Sequence, residues 1–206
     1  MRKPIIDKNK SYNFSDYFNL NLPTEQVVAE FDYKFSIENL ELPKASLDNI
    51  PLSSLKAEYA RKMQFVSLQN ETARREFFIS PLFFRLLDYV ETRIEIEYNL
   101  DFNSLLKGKI DYFLHAQRNF VVVEAKFADM ENGFTQLAVE MIAVDKYYED
   151  EKSQFVYGAV TVGDIWRFGA LDRANKIIFR DIGAYTIPTN LEELFAILLG
   201  ILQNKE

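Results

Sequence analysis

The chain has 206 residues, of which 48% are hydrophobic and 27% charged, with 24 Lys and Arg against 31 Asp and Glu for a net charge of −7. This is the composition of a folded chain, and the length suits one domain with an extension. The absence of cysteine excludes disulfides, a thiol nucleophile and thiolate metal sites, and one histidine, His115, excludes a His-rich zinc site. Acidity of this size argues against non-specific coating of nucleic acid but leaves a local phosphodiester-binding cleft open.

The first residues carry Arg2, Lys3 and Lys8 with no apolar run of signal-peptide length behind them. No window approaches the roughly 18 apolar residues of a membrane span, so a cytoplasmic protein with no membrane partner is expected. Residues 1–60 hold four of the six prolines (Pro4, Pro23, Pro43, Pro51) and are read as an N-terminal extension packing on a core of residues 61–206. Within the extension, residues 31–37 alternate in period two as a strand does. Residues 48–53 read as a turn into a helix bearing Leu55, Tyr59 and Met63 on one face. No chemistry is expected from this part.

From Ser67 the signals sharpen. Residues 70–78 open a helix, with Ser67 or Asn70 as its cap and Phe77, Phe78, Leu82, Leu86 and Tyr89 at helical spacing. Pro81 predicts a kink or break inside it. Residues 92–98 alternate strictly and predict a half-buried strand. Residues 109–114 and 120–127 predict a hairpin joined through His115 to Asn119, which leaves His115 in an exposed loop. The run Phe120, Val121, Val122, Val123 suggests a strand covered on both faces. A helix over 134–148, strands over 155–162, 165–171 and 176–180, and a C-terminal amphipathic helix with Leu191, Leu194, Ile197, Leu198 and Ile201 buried complete the chain. The order α-β-β-β-α-β-β-β-α implies an α/β fold: a mixed sheet with helices on its faces.

The chemistry-bearing unit is Asp111 on the first strand of the hairpin with Glu124, Ala125 and Lys126 on the second. Period two puts Glu124 and Lys126 on one face. Pairing Leu114 with Val121 sets Asp111 opposite Glu124 and Lys109 opposite Lys126. Facing carboxylates repel and call for a cation: Lys126 in part, a divalent metal more fully. Mg²⁺ takes oxygen ligands and retains water, which suits an Asp/Glu pair beside a phosphate. Alternating charge on a strand is ordinarily a solvated face, but charges beside a Val run are costly unless used.

These residues resemble the PD-(D/E)XK nuclease superfamily, whose restriction-endonuclease-like core has the order α-β-β-β-α-β with the acid on the second strand and E-x-K on the third. Ile110 stands where the superfamily's name has proline. Residues 70–81 are similar to its opening helix, with Glu71, or Glu76 in reserve, as the acid near the metal. Residues 136–141 are similar to its glutamine-bearing helix. Residues 156–168 resemble the strand pair of stand-alone bacterial members. The likeness spans about residues 67–202.

The resemblance implies a metal-dependent nuclease acting on DNA. Asp111, Glu124 and the carbonyl of Ala125 would ligate Mg²⁺ or Mn²⁺, and Lys126 would position or activate the attacking water. Glu71 would hold a metal-bound water or second ion, Gln136 would orient Lys126 or a phosphate, and Glu140 would hydrogen-bond nearby. The alternative is a catalytically inactive interaction protein with the same fold, or a homodimer formed through the aromatic-rich half, residues 155–201.

Overall fold

A computed structural model describes residues 5–116, 119–126, 128–151 and 153–204, with residues 119 and 120 by backbone alone. The chain is a mixed α/β structure built on one sheet of eight strands. Its elements are α1 (Phe14–Asn19), α2 (Thr24–Ala29), β1 (Lys34–Glu38), α3 (Ser53–Lys62), a single 3₁₀ turn (Met63–Phe65) and α4 (Glu71–Arg74). A π-helical turn (Arg75–Ile79) then leads into α5 (Ser80–Leu87). There follow β2 (Arg93–Asp101), β3 (Lys107–Ala116), β4 (Asn119–Ala125), α6 (Met130–Tyr147), β5 (Phe155–Thr161), β6 (Ile165–Asp172), β7 (Ile177–Asp181), β8 (Tyr185–Thr186) and α7 (Leu191–Gln203).

The strand order is β1-β7-β6-β5-β4-β3-β2, with β8 paired to β6. β2, β3 and β4 form an antiparallel meander. β5 lies parallel to β4, a pairing that a tight turn cannot make, so α6 crosses between them over one face. The expected pairing of Leu114 with Val121 is present. Gln117, Arg118 and Phe127 lie outside the described residues.

Each face of the sheet carries its own core. On one, Phe14, Tyr17, Val27 and Val28 of α1 and α2 pack with Leu137, Met141 and Ile142 of α6 over Val122, Val156 and Val160. On the other, Tyr59, Phe78, Leu82, Leu86, Leu194 and Leu198 cover Val121, Val123, Trp166 and Phe168. The Val run is thus covered on both faces. Among the described residues no helix is long and apolar enough to cross a membrane.

Several expectations change. The strand expected over 31–37 begins only at Lys34, because Phe31 and Tyr33 both donate their N–H groups to Val28 and Asp32 takes φ +66° in a turn that ends α2. Pro81 breaks nothing. The π turn just before it widens the helix locally, so the run from Glu71 to Leu87 continues, with Ser80 Oγ donating to the Arg75 carbonyl at 3.3 Å. His115 is no loop residue: it lies within β3, opposite Arg93, 6.0 Å from the Tyr148 ring. α7 is buried nearly all round, since the segment through Leu42 and Ala45 crosses its outer side, where Ala45 N–H donates to the Ala196 carbonyl at 2.9 Å. In residues 155–201, Trp166, Phe168 and Phe195 are used up inside the chain's own core.

α6 sits close to the sheet because glycines lie beneath it. A Cβ on Gly158 would come within 2.8 Å of Met141 Sδ, and one on Gly169 within 2.7 Å of the Phe134 ring and 2.9 Å of the Phe179 carbonyl. Gly169→Ala is therefore expected to cost about 1–3 kcal/mol through forced displacement of α6 or β7, read as a lower urea midpoint. A wild-type midpoint would show that α6 is not seated as described.

Candidate functional site

The β3–β4 ladder ends at Tyr112 opposite Val123. One step further, Asp111 turns its carboxylate to the neighbouring strand, and Oδ2 accepts from Ala125 N–H at 2.9 Å. The β2–β3 ladder is interrupted at the same place, between the pairs Ile96–Tyr112 and Tyr98–Ile110, where Glu97 takes φ +52°. Asp111 thus stands where β3 departs from regular pairing on both sides. The expected strand pairing of Lys109 with Lys126 is absent: Lys109 lies opposite Asn99 and is bound to Glu97 at 2.9 Å.

Glu124 lies on β4 two residues after Val122 and so faces α6. It is 1% exposed and forms an ion pair with Lys126, yet neither oxygen accepts a hydrogen bond of ordinary geometry among the described groups. Above it, one turn apart on α6, are Gln136 and Glu140, both buried, with Gln136 Nε2 donating to Glu140 Oε1 at 2.8 Å. Gln136 Oε1 and Glu140 Oε2 have no donor among the described residues. Gln136, expected to orient Lys126 or a phosphate, donates to Glu140 among the described residues.

Glu71 opens α4, whose N-cap Asn70 accepts from Ala73 N–H at 2.8 Å. Glu71 is half-exposed, 4.0 Å from Arg75 Nη1. Arg75 was missing from the expected set. Its guanidinium lies 3.7 Å from Asp111 and 4.9 Å over the Tyr112 ring, and its Nε donates to the Tyr112 hydroxyl at 3.1 Å. Phe18 was also missed: its ring lies 5.1 Å from Lys126 Nζ, so α1 reaches the site. The Glu71–Arg75 spacing of one helical turn makes that pair legible in the sequence; its reach to Asp111 depends on the fold. Nothing local could have found Phe18.

The electrostatics follow from burial. Burial raises Asp111, while the Ala125 N–H and Arg75 pull it back. Burial and then the Asp111 charge raise both Glu71 and Glu124. Burial and the adjacent Glu124 hold Glu140 well above the usual carboxyl range. For Lys126 burial acts downward, but the Glu124 and Asp111 charges outweigh it and keep the ammonium protonated. Four carboxyl groups therefore converge on two cations, Arg75 and Lys126. Among the described residues, no three acidic or histidine side chains form a closed metal-ligand set. Oxygen donors for a hard cation would be Asp111 and Glu124, completed by water.

The sign of the pH dependence is fixed by these shifts. The buried Glu124–Glu140 couple retains a proton in the folded chain above the usual glutamate value of 4.5, held on Glu140 while Glu124 pairs with Lys126. The folded state then binds more protons than the unfolded one, so stability falls as pH rises through that interval. Glu140→Gln removes one of the two groups and keeps its shape. Between about pH 5 and about pH 8, its urea midpoint is expected to fall less than that of wild type in metal-free buffer, and parallel profiles would refute the burial of this pair. No family model, no curated protein and no solved structure matches the chain.

Proposed function

We propose that the chain is a nuclease that hydrolyses DNA phosphodiester bonds with a divalent metal ion, in the manner of the PD-(D/E)XK superfamily. The observation that carries this reading is the gathering of Asp111, Glu124 and Lys126 at the frayed end of the β3–β4 pair, with Glu71 and the Gln136–Glu140 couple beside them. Support also comes from topology. A helical run, the meander β2–β3–β4, the crossover α6 and the parallel β5 follow one another in the order of a restriction-endonuclease-like core.

The residues fit a hard divalent ion. Carboxyl and amide oxygens are buried without donors of ordinary geometry among the described groups, and burial raises three carboxyls, two of them further through the Asp111 charge. Asp111, Glu124 and the Ala125 carbonyl would hold Mg²⁺ or Mn²⁺, with retained water in place of a full protein cage. When bound, the ion polarises the phosphoryl oxygens and lowers the pKa of its water.

The chain's own groups do the rest. Lys126, protonated and pinned between Glu124 and the Phe18 ring, acts as a donor: it aligns the attacking water and offsets the charge growing on the phosphorus oxygens. Glu71, half-exposed at the rim, holds a water by hydrogen bonding. Glu140 fixes Gln136 and is itself kept neutral by burial.

A second reading, a non-catalytic interaction protein on the same scaffold, is favoured by one observation. Lys126 and Arg75 already lean on Glu124 and Asp111, which is how a site without metal neutralises itself.

Purified protein is expected to cleave plasmid or single-stranded DNA in Mg²⁺ or Mn²⁺, with Lys126→Ala slower by about 10²–10³. Calorimetric Mn²⁺ binding is expected to vanish in Asp111→Asn. No cleavage by wild type, or equal cleavage by Lys126→Ala, overturns the nuclease. Absence of Mn²⁺ binding as well selects the second reading.

A further inference from the structure

Away from the carboxylates, two arginines converge on one glutamate. Arg167 of β6 and Arg180 of β7 both place Nη1 on the Glu131 carboxylate, Arg167 at 3.0 Å. Neither Nε has an acceptor among the described residues. Arg180 lies 5.7 Å from the Phe134 centroid and 5.9 Å from that of Phe35, which fixes its guanidinium. The side chains of Arg167 and Arg180 are 25% and 14% exposed, and that of Glu131 is 65% exposed.

An ion pair to so exposed a carboxylate adds little stability, yet two half-buried guanidinium groups side by side repel unless an anion sits between them. Glu131, on the first turn of α6, is that anion, and its side chain is open to solvent. Guanidinium forks bind phosphate in a bidentate manner, so a phosphodiester satisfies the same pair with more hydrogen bonds.

Register ties the pair to the candidate site. Glu124 lies opposite Val160, and Val160 opposite Arg167, so the three form one row across adjacent strands and face α6 together. At the usual strand separation, Arg167 stands roughly 10 Å from Glu124. Arg180 lies opposite Gly169, two residues on from Arg167, and opposite Ile37 of β1. It therefore continues the line on the same face. Beside it an open depression of about 400 Å³ has Glu131, Arg180, Phe35 and Ile37 in its wall.

We infer that Arg167 and Arg180 grip a backbone phosphate of the DNA strand engaged at Asp111, Glu124 and Lys126, and that Glu131 occupies them when DNA is absent. The inference rests on the nuclease reading for the identity of the strand. It also supplies a place for phosphate on a chain whose net charge is −7.

Fluorescence anisotropy of the full chain with a labelled DNA strand in Ca²⁺, across a salt series, tests it. The Arg167→Ala/Arg180→Ala variant is expected to bind about tenfold more weakly, with its log–log salt slope shallower by roughly 2, about one per arginine. Glu131→Gln is expected to bind about fivefold more tightly. Should the double variant fail to fold by circular dichroism, Glu131→Gln decides alone. Cleavage by wild type together with unchanged affinity and slope in the double variant, or Glu131→Gln no tighter than wild type, overturns the arginine pair and leaves the nuclease standing. A wild type that binds no DNA overturns both.

Discussion

A carboxylate buried under a helix with too few partners is the constraint from which the rest of this structure follows. Glu124 is 1% exposed, lies against Glu140 and has Lys126 as its counter-ion. Removing an ion from water costs several kcal/mol that pairing recovers only with good geometry and further hydrogen bonds. Here those further bonds are missing on both Glu124 oxygens. A polar cluster left half-satisfied inside an otherwise apolar interior is where a sequence departs from the rules of stability, and such departures concentrate at functional sites.

The scaffold is arranged so that this crowding persists. α6 cannot drift outward, because Phe14, Tyr17, Val27 and Val28 cover its far side and Thr24 and Thr135 are joined by a 2.8 Å hydrogen bond. It rests low on the sheet over Gly158 and Gly169. From the other direction, the widened helical turn ahead of Pro81 carries Arg75 on its first residue and so delivers a guanidinium to Asp111. The cations were not assembled by sequence proximity. Lys126 comes from the end of β4, Arg75 from the helical run, and the aromatic ring over Lys126 from α1. The N-terminal segment is thus part of both the sheet, through β1 beside β7, and the site, through Phe18.

What could be read in advance was whatever depended on neighbours in the chain. Asp111, Glu124 and Lys126 were legible because strand alternation and a short hairpin fix their relation, and the pairing of Leu114 with Val121 follows from the same logic. Asn70 was legible as a cap because capping is local. Where the outcome depends on which distant piece covers a side chain, the pattern gave no purchase. Gln136 is buried because it shares the side of α6 on which Glu140 lies against Glu124 of β4. The polar outer side expected for α7 is lost because the segment through Leu42 crosses it. His115 sits in a strand because it pairs with Arg93 of β2 on one side and Phe120 of β4 on the other. Even Asp111 opposite Glu124 was right in register and incomplete in form: the ladder stops one pair short and a side chain takes over the hydrogen bond to Ala125.

The same distinction between local and summed quantities governs the charge. A net −7 is a property of the whole molecule, whereas at physiological salt a ligand senses charges within about 8 Å. At that range the surface is patterned. A carboxylate cluster at the end of β4 is followed, about two strand spacings along the same face, by two arginines sharing one exposed acid. Under the proposed reading the first patch repels a polyanion until a divalent ion neutralises it, and the second attracts one as soon as Glu131 gives way. Specific engagement then requires both events, and the overall acidity serves to suppress binding everywhere else on the molecule.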